Sequence, residues 1–190
     1  PEYSSAASDV YKRQQKNRLI KDLLKGKELT SVIIFVSTKS KVKDLERDLI
    51  KADLKAKAIH SDLDQTERER VLREFRNKQL QILVATDILS RGIDIEDIGL
   101  VINYDVPGDP ADYVHRVGRT ARAASTGVAL TFINEWDQYS FGQIEALIGN
   151  PVNKIPLPKE LGKGPAYEPE KRVKRPALKK KKNFNTARFK

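Results

Sequence analysis

Val32 to Val36 reads VIIFV, an unbroken apolar run of strand length. A strand with one face in water alternates apolar and polar residues, so a continuous run is expected where both faces are covered, as in a parallel sheet with helices on either side. The rest of the chain keeps to that plan. From Gln14 onward, segments with helical apolar spacing alternate with short β-rich runs, the pattern of an α/β domain with a mostly parallel sheet.

The first helix is expected to carry Leu19, Ile20, Leu23 and Leu24 and to stop near Gly26. After the VIIFV strand, Val42, Leu45, Leu49 and Ile50 recur at helical spacing. Lys57 to His60 is expected to be a second strand, and Asp64 followed by Glu67 resembles a capping box that opens a helix with Val71, Leu72 and Phe75 inward. Ile82 to Ala85 and Leu100 to Tyr104 are the next strands. Asp109 and Pro110 supply a cap and a first-turn proline for a further helix. Val128 to Ile133 is expected to close the sheet, and Asn134 to cap a last helix with Trp136, Tyr139, Ile144, Leu147 and Ile148 on one side. Three stretches result: residues 1–13, without clear periodicity and without an assigned role; a domain over 14–150; and 151–190, where prolines and crowded lysines predict a disordered basic tail.

A chain of 190 residues accommodates one domain with a full core and a tail, and is short for two domains. The absence of cysteine excludes disulfides and thiolate metal sites, and 2 histidines are too few for a zinc cluster, so no metal ligand is expected. There is no apolar run of membrane-spanning length and no charged-then-apolar leader, which predicts a soluble, cytoplasmic chain without membrane contact. A chain that opens on Pro1 and contains no Met is expected to be an excerpt of a longer one. The net charge of +10 is carried entirely by residues 151–190, with 13 Lys and Arg against 3 Glu. The body is neutral, so nucleic-acid contact by the body has to be local and shaped.

Two stretches carry chemistry. In YVHRVGRTAR, Tyr113 to Arg122, the residues Arg116, Arg119 and Arg122 recur at every third position. Clustered guanidiniums repel unless an anion compensates them, and the guanidinium fork matches phosphate oxygens. A solvated basic helix face paired with carboxylates has the same spacing. The second stretch, VATDILSRGID from Val84 to Asp94, follows a strand, and ligands of open α/β sheets bind beyond the carboxyl ends of strands. Thr86 and Asp87 can face that crevice, Gly92 permits close backbone approach, and Asp94 offers acceptors to sugar hydroxyls. A capped turn with Gly92 serving only geometry is the alternative.

Together with VIIFVST at Val32 to Thr38, HSDLDQTER at His60 to Arg68 and VINYDVP at Val101 to Pro107, these stretches resemble the C-terminal RecA-like domain of superfamily 2 helicases, most closely the DEAD-box RNA helicases. The resemblance runs from about Gln14 to Ile148 and implies a three-layer RecA-like fold. It implies that Arg119 and Arg122 are catalytic arginine fingers that reach the γ-phosphate of ATP, with Asp94 and Gly92 also contacting the nucleotide. Thr38, Arg68, Thr86 and Arg91 match positions near the RNA backbone, and His115, Arg116 and Asp87 match residues that couple the two motor domains. The chain departs from the family where glycine is usual, at Ser61, Ala121 and Ala124, which puts backbone approach to RNA at Ser61 in doubt and leaves the charged and hydroxyl groups untouched.

The only Gly-Lys pairs are Gly26-Lys27 and Gly162-Lys163, neither set in a phosphate-cradling loop, and no Asp-Glu-Ala-Asp tetrapeptide occurs. ATP and Mg²⁺ are therefore expected to be held mainly by a missing N-terminal RecA-like domain, and the isolated chain is expected not to hydrolyse ATP. The partners expected are that domain and RNA, single-stranded or in short duplexes, with the protein itself monomeric. A DNA-directed motor of the same superfamily and a non-catalytic RNA- or protein-binding module are the alternatives.

Overall fold

The computed structural model describes residues 5–25 (side chains from Arg13 onward), 31–86, 95, 98–120, 127–162 and 164–173. Five strands, β1 (Val32–Phe35), β2 (Ala56–Ile59), β3 (Ile82–Ala85), β4 (Leu100–Asn103) and β5 (Val128–Thr131), form one sheet in the order β2-β3-β1-β4-β5. Every neighbouring pair is parallel. Parallel neighbours need crossover connections, and α2 (Lys39–Ile50), α3 (Gln65–Arg76) and α4 (Pro110–Val117) supply them; α1 (Ser5–Leu24) precedes the sheet and α5 (Gln138–Ile148) follows it.

The VIIF run of β1 is central, and its side chains divide between two cores. Val32 and Ile34 pack with Ile20 and Leu24 of α1 and with Val42, Leu45 and Leu49 of α2. Ile33 and Phe35 pack on the other face with Val71 and Phe75 of α3. All four residues of β1 are buried, which is why no polar residue interrupts the run. The expected three-layer arrangement is thus observed.

Helix starts follow the capping residues. Thr38 caps α2, its hydroxyl accepting from the Lys41 amide at 3.4 Å; Asp64 caps α3, accepting from Glu67 at 2.7 Å; and Asp109 caps α4, accepting from Ala111 at 2.9 Å, with Pro110 in the first turn. The last helix departs from expectation. Asn134 caps a turn ahead of it, accepting from the amides of Trp136 and Asp137, and α5 begins only at Gln138. Its inward face is Gln138, Phe141 and Ile144, the last of these as expected, while Leu147 and Ile148, in the final turn before Gly149, are exposed. Ile50, at the last turn of α2, is also exposed. The backbone of α1 extends back to Ser5, into the stretch that shows no apolar periodicity.

The region expected to be a disordered tail divides. Residues 174–190 lie outside the described part, but residues 151–162 and 164–173 form an extended strap that returns over α5 and α1. Its anchors are sparse and specific. Val152 and Tyr167 pack against Tyr113, Phe141 and Ile144, and Leu161, in a 3₁₀ turn over Lys159–Leu161, is buried and accepts from Gln15 at 2.8 Å through its carbonyl. Glu145 accepts from the Val152 amide and the Tyr167 hydroxyl and pairs with Lys154. The Gln138 side chain donates to the Ala166 carbonyl and accepts from the Glu168 amide, both at 2.7 Å. Bulk composition averages these anchors away among prolines and lysines.

Between β1 and β4 the direction of the connections reverses, and the crevice that such a reversal opens at the carboxyl ends of the strands is filled by side chains. Asp105, just past β4, accepts from the Ser37 amide at 3.0 Å and the Ser37 hydroxyl at 2.7 Å. It pairs with Lys41 at 3.1 Å and with Lys16 at 3.5 Å. Burial pushes the Asp105 carboxyl up, but the two ammonium groups and the Ser37 donors outweigh it and hold the group down at about 2. Lys16 is shifted the other way: burial lowers it more than the attraction of Asp105 and Asp137 raises it. The asymmetry is physical, since Asp105 is served by two cations and two hydrogen-bond donors while Lys16 faces the carboxylate from one side.

Two outcomes follow from this packing. A Cβ at Gly127 would lie 2.5 Å from the Thr120 Cβ and 2.8 Å from the Ile98 carbonyl, so Gly127→Ala is expected to lower the free energy of unfolding by roughly 1–3 kcal/mol; a denaturant midpoint equal to the native one refutes this packing. The depressed pKa of Asp105 contributes stability that is present above about pH 4 and lost as pH falls through about 2, worth roughly 2 kcal/mol. In Asp105→Asn, acid titrations of the unfolding free energy should therefore start lower at neutral pH and fall less steeply between those values.

Candidate functional site

Because the strands are parallel and in register, their carboxyl ends share one edge: Ile59, Ala85, Phe35, Asn103 and Thr131 lie side by side. The residues leaving these ends form the candidate site. On the β2-β3-β1 half lie Thr38 at the start of α2, Thr86 directly after β3, and Arg68 in the first turn of α3. On the β4 half lies α4, with His115 and Arg116, followed by Arg119. The sequence-predicted residues that are described thus share one edge of the sheet. Asp87, Arg91, Gly92, Asp94 and Arg122 lie outside the described residues.

Arg68 has spare hydrogen-bonding capacity. Its two terminal nitrogens reach Gln65 Oε1 and the Leu63 carbonyl only at 3.4 Å, and its Nε is shielded from solvent without a hydrogen-bond partner. A buried unpaired donor on a charged group is costly, so a site that leaves one suits an incoming acceptor. Thr38 is exposed beside Lys39, and Thr86 is buried. Close by, Lys39 and Lys43 of α2 both bind Asp62 at 2.6 and 3.1 Å, and the hydrogen bonds from these two lysines hold the exposed Asp62 carboxyl below the usual range. His60 is a packing residue: it is buried, its Nδ1 accepts from the Asp62 amide at 3.2 Å, and burial lowers its pKa.

Arg116 fits neither reading of the arginine spacing. It is only 1% exposed, and its Nη1 donates to Asn103 Oδ1 at 2.9 Å and to the Asp105 carbonyl at 3.2 Å while the guanidinium lies 5.0 Å over the Phe35 ring. The helix ends at Val117 and Gly118 caps it, so Arg116 and Arg119 do not share one helical face. Arg116 turns into the domain; Arg119, in the turn after α4, is half-buried; His115 and Val114 are exposed. Asn103, fully buried in β4, also donates to the Thr131 hydroxyl at 3.1 Å, tying β5 to the same network.

Sequence reasoning missed the Ser37, Lys41, Lys16 and Asp105 cluster that joins the two halves of the edge. The signal was present in NYD at Asn103 to Asp105: a buried strand that ends in an amide and a carboxylate needs partners for both.

The profile of the helicase conserved C-terminal domain family matches residues 15–124. The ATP-dependent RNA helicase eIF4A of Scheffersomyces stipitis is 40% identical over 135 residues, which are 71% of this chain and 34% of the relative. Among solved structures, E. coli DEAD-box protein SrmB, bound to regulator of ribonuclease activity A, superposes with a TM-score of 0.73 at 30% identity over 87% of this chain and 92% of that one. S. cerevisiae Dbp5 bound to RNA and ADP BeF3 does so with a TM-score of 0.67 at 33% identity over 72% of this chain and 37% of that one. The chain spans about a third of the length of the curated relatives it matches. The ordered motifs, the parallel sheet and these likenesses agree: the chain belongs to the helicase conserved C-terminal domain family and is a DEAD-box helicase C-terminal domain.

Proposed function

We propose that this chain is the second motor domain of an ATP-dependent RNA helicase, contacting the RNA backbone with one half of the sheet edge and ATP phosphates with the other. What supports the reading most is the division of that edge: Thr38, Thr86 and the under-used donors of Arg68 on the β2-β3-β1 half, and the α4 segment with exposed His115 and half-buried Arg119 on the β4 half. Solved Dbp5, similar over 72% of this chain, carries both RNA and ADP BeF3, and the same two ligands suit the two halves here.

In this reading the RNA contacts are to phosphates, so they position the strand and carry no sequence information. Thr38 and Thr86 offer hydroxyls, Arg68 and Arg91 guanidiniums. ATP and Mg²⁺ are held by an N-terminal motor domain, and closure of the two domains brings Arg119 and Arg122 to the γ-phosphate, where they stabilise charge that develops in the transition state. Asp94 takes the ribose hydroxyls, and Gly92 lets the backbone approach. His115 and Asp87 meet the other domain directly, whereas Arg116, buried as it is, couples the domains by fixing the position of α4. The 190-residue chain alone does not turn over ATP, and nothing in the reading requires more than one copy of it.

Joined in one polypeptide to an N-terminal motor domain, Arg119→Ala is expected to lower RNA-stimulated ATP hydrolysis by about 10³-fold or more; a rate near that of the native arginine refutes the finger assignment, and stimulation by DNA as strong as by RNA points to the DNA-directed motor instead. For the chain by itself, Arg68→Ala should weaken binding of single-stranded RNA to a similar degree whatever the sequence. The slope of log affinity against log salt should shrink by about 0.7, the share of one phosphate contact on a single strand. An unchanged slope removes Arg68 from the RNA site.

A further inference from the structure

Four segments converge on one residue at the boundary between the two halves of the edge. The Asp105 carboxylate accepts from the amide and hydroxyl of Ser37 in the β1–α2 turn, from Lys41 in the first turn of α2, and is paired with Lys16 of α1. Its main-chain carbonyl accepts from Arg116 of α4 at 3.2 Å. Ser37 immediately precedes Thr38, and the amide that Thr38 caps belongs to Lys41. The residue is 6% exposed, so water competes little for these contacts.

We propose that Asp105 is a positioning residue that sets the β1–α2 turn, with Thr38, in fixed register with α4, with Arg116 and Arg119, so that the RNA contact and the phosphate contact are presented together. The inference rests on the RNA and phosphate roles proposed above. The chemistry demands an ionised carboxylate. Its two oxygens, with about four lone-pair directions, serve several donors at once, whereas an asparagine offers one acceptor oxygen and turns its amide donors against Lys16, Lys41 or the Ser37 hydroxyl. A displacement of about 1 Å between groups that act together costs on the order of 10²-fold in rate, so a clamp between the two halves has a functional effect without touching either ligand.

The test follows two resonances in the isotopically labelled chain during titration with a short oligouridylate. In the native chain the Thr38 and Lys41 amides should shift, and the Arg116 Nε–Hε signal should shift along the same binding isotherm. In Asp105→Asn the Thr38 response should persist while the Arg116 response at saturation falls by more than half. Ser37→Ala keeps every charge of the cluster and removes only the hydroxyl link, so it carries the same test, with a smaller fall, where Asp105→Asn does not fold. A role in stability alone lowers the melting temperature and the affinity but leaves the ratio of the Arg116 to the Thr38 response as it is in the native chain; that result overturns the proposal and leaves the RNA reading standing. No shift at Thr38 in the native chain overturns the RNA reading and the clamp with it.

Discussion

A strand covered on both faces can carry chemistry only at its ends. That constraint, set by β1, governs the domain. Its four buried apolar side chains require helices above and below, helices above and below require parallel crossovers, and parallel crossovers put every strand's carboxyl end on one edge. The polar residues that matter, Thr38, Thr86, Asn103 and Asp105, all sit at or just beyond that edge. None of them interrupts a core.

The edge concentrates charge in a region of low water access, where unpaired ions are expensive. Two solutions coexist. Arg116 donates to an amide oxygen and a main-chain carbonyl and lies over an aromatic face. Asp105 is satisfied by two ammonium groups and a serine. The crevice at the β1–β4 reversal, which in many α/β folds receives a ligand, is here filled by these internal pairs. In the function proposed above, ligand contact falls outside this crevice, at the starts of α2 and α3 and in the turn after α4.

Much of this was legible in the residues. Strand positions followed from apolar runs to within a residue or two at their ends, and Asp64, Asp109 and Pro110 act at helix starts as their chemistry predicts. The failures have definite causes. Taking Asn134 as the cap of α5 set the helix three positions early, whereas the Asn134 side chain closes a preceding turn, and Leu147 and Ile148, apolar at helical spacing from buried Ile144, lie exposed in the last turn. Equal spacing of the arginines implied a common face only if the helix continued, and it stops at Val117. Asp105 meets Lys16 of α1, Ser37 after β1 and Lys41 of α2 across separations of 64 to 89 residues in sequence, and no local pattern announces such a meeting. The strap was hidden by composition, since a few anchors among many prolines and lysines do not change an average.

The strap has a consequence for how this domain changes over time. Most of its fastenings are to α5: the Gln138 amide to Ala166 and Glu168, Glu145 to Val152, Lys154 and Tyr167, and the close approach of Pro169 to Gly142, where a Cβ would lie 2.9 Å from the Pro169 Cβ. Both partners lie beyond the family match that ends at residue 124. A change at Gln138 or Glu145 therefore strips the strap of its partners, and a change in the strap leaves those side chains of α5 unserved: each segment constrains the residues of the other.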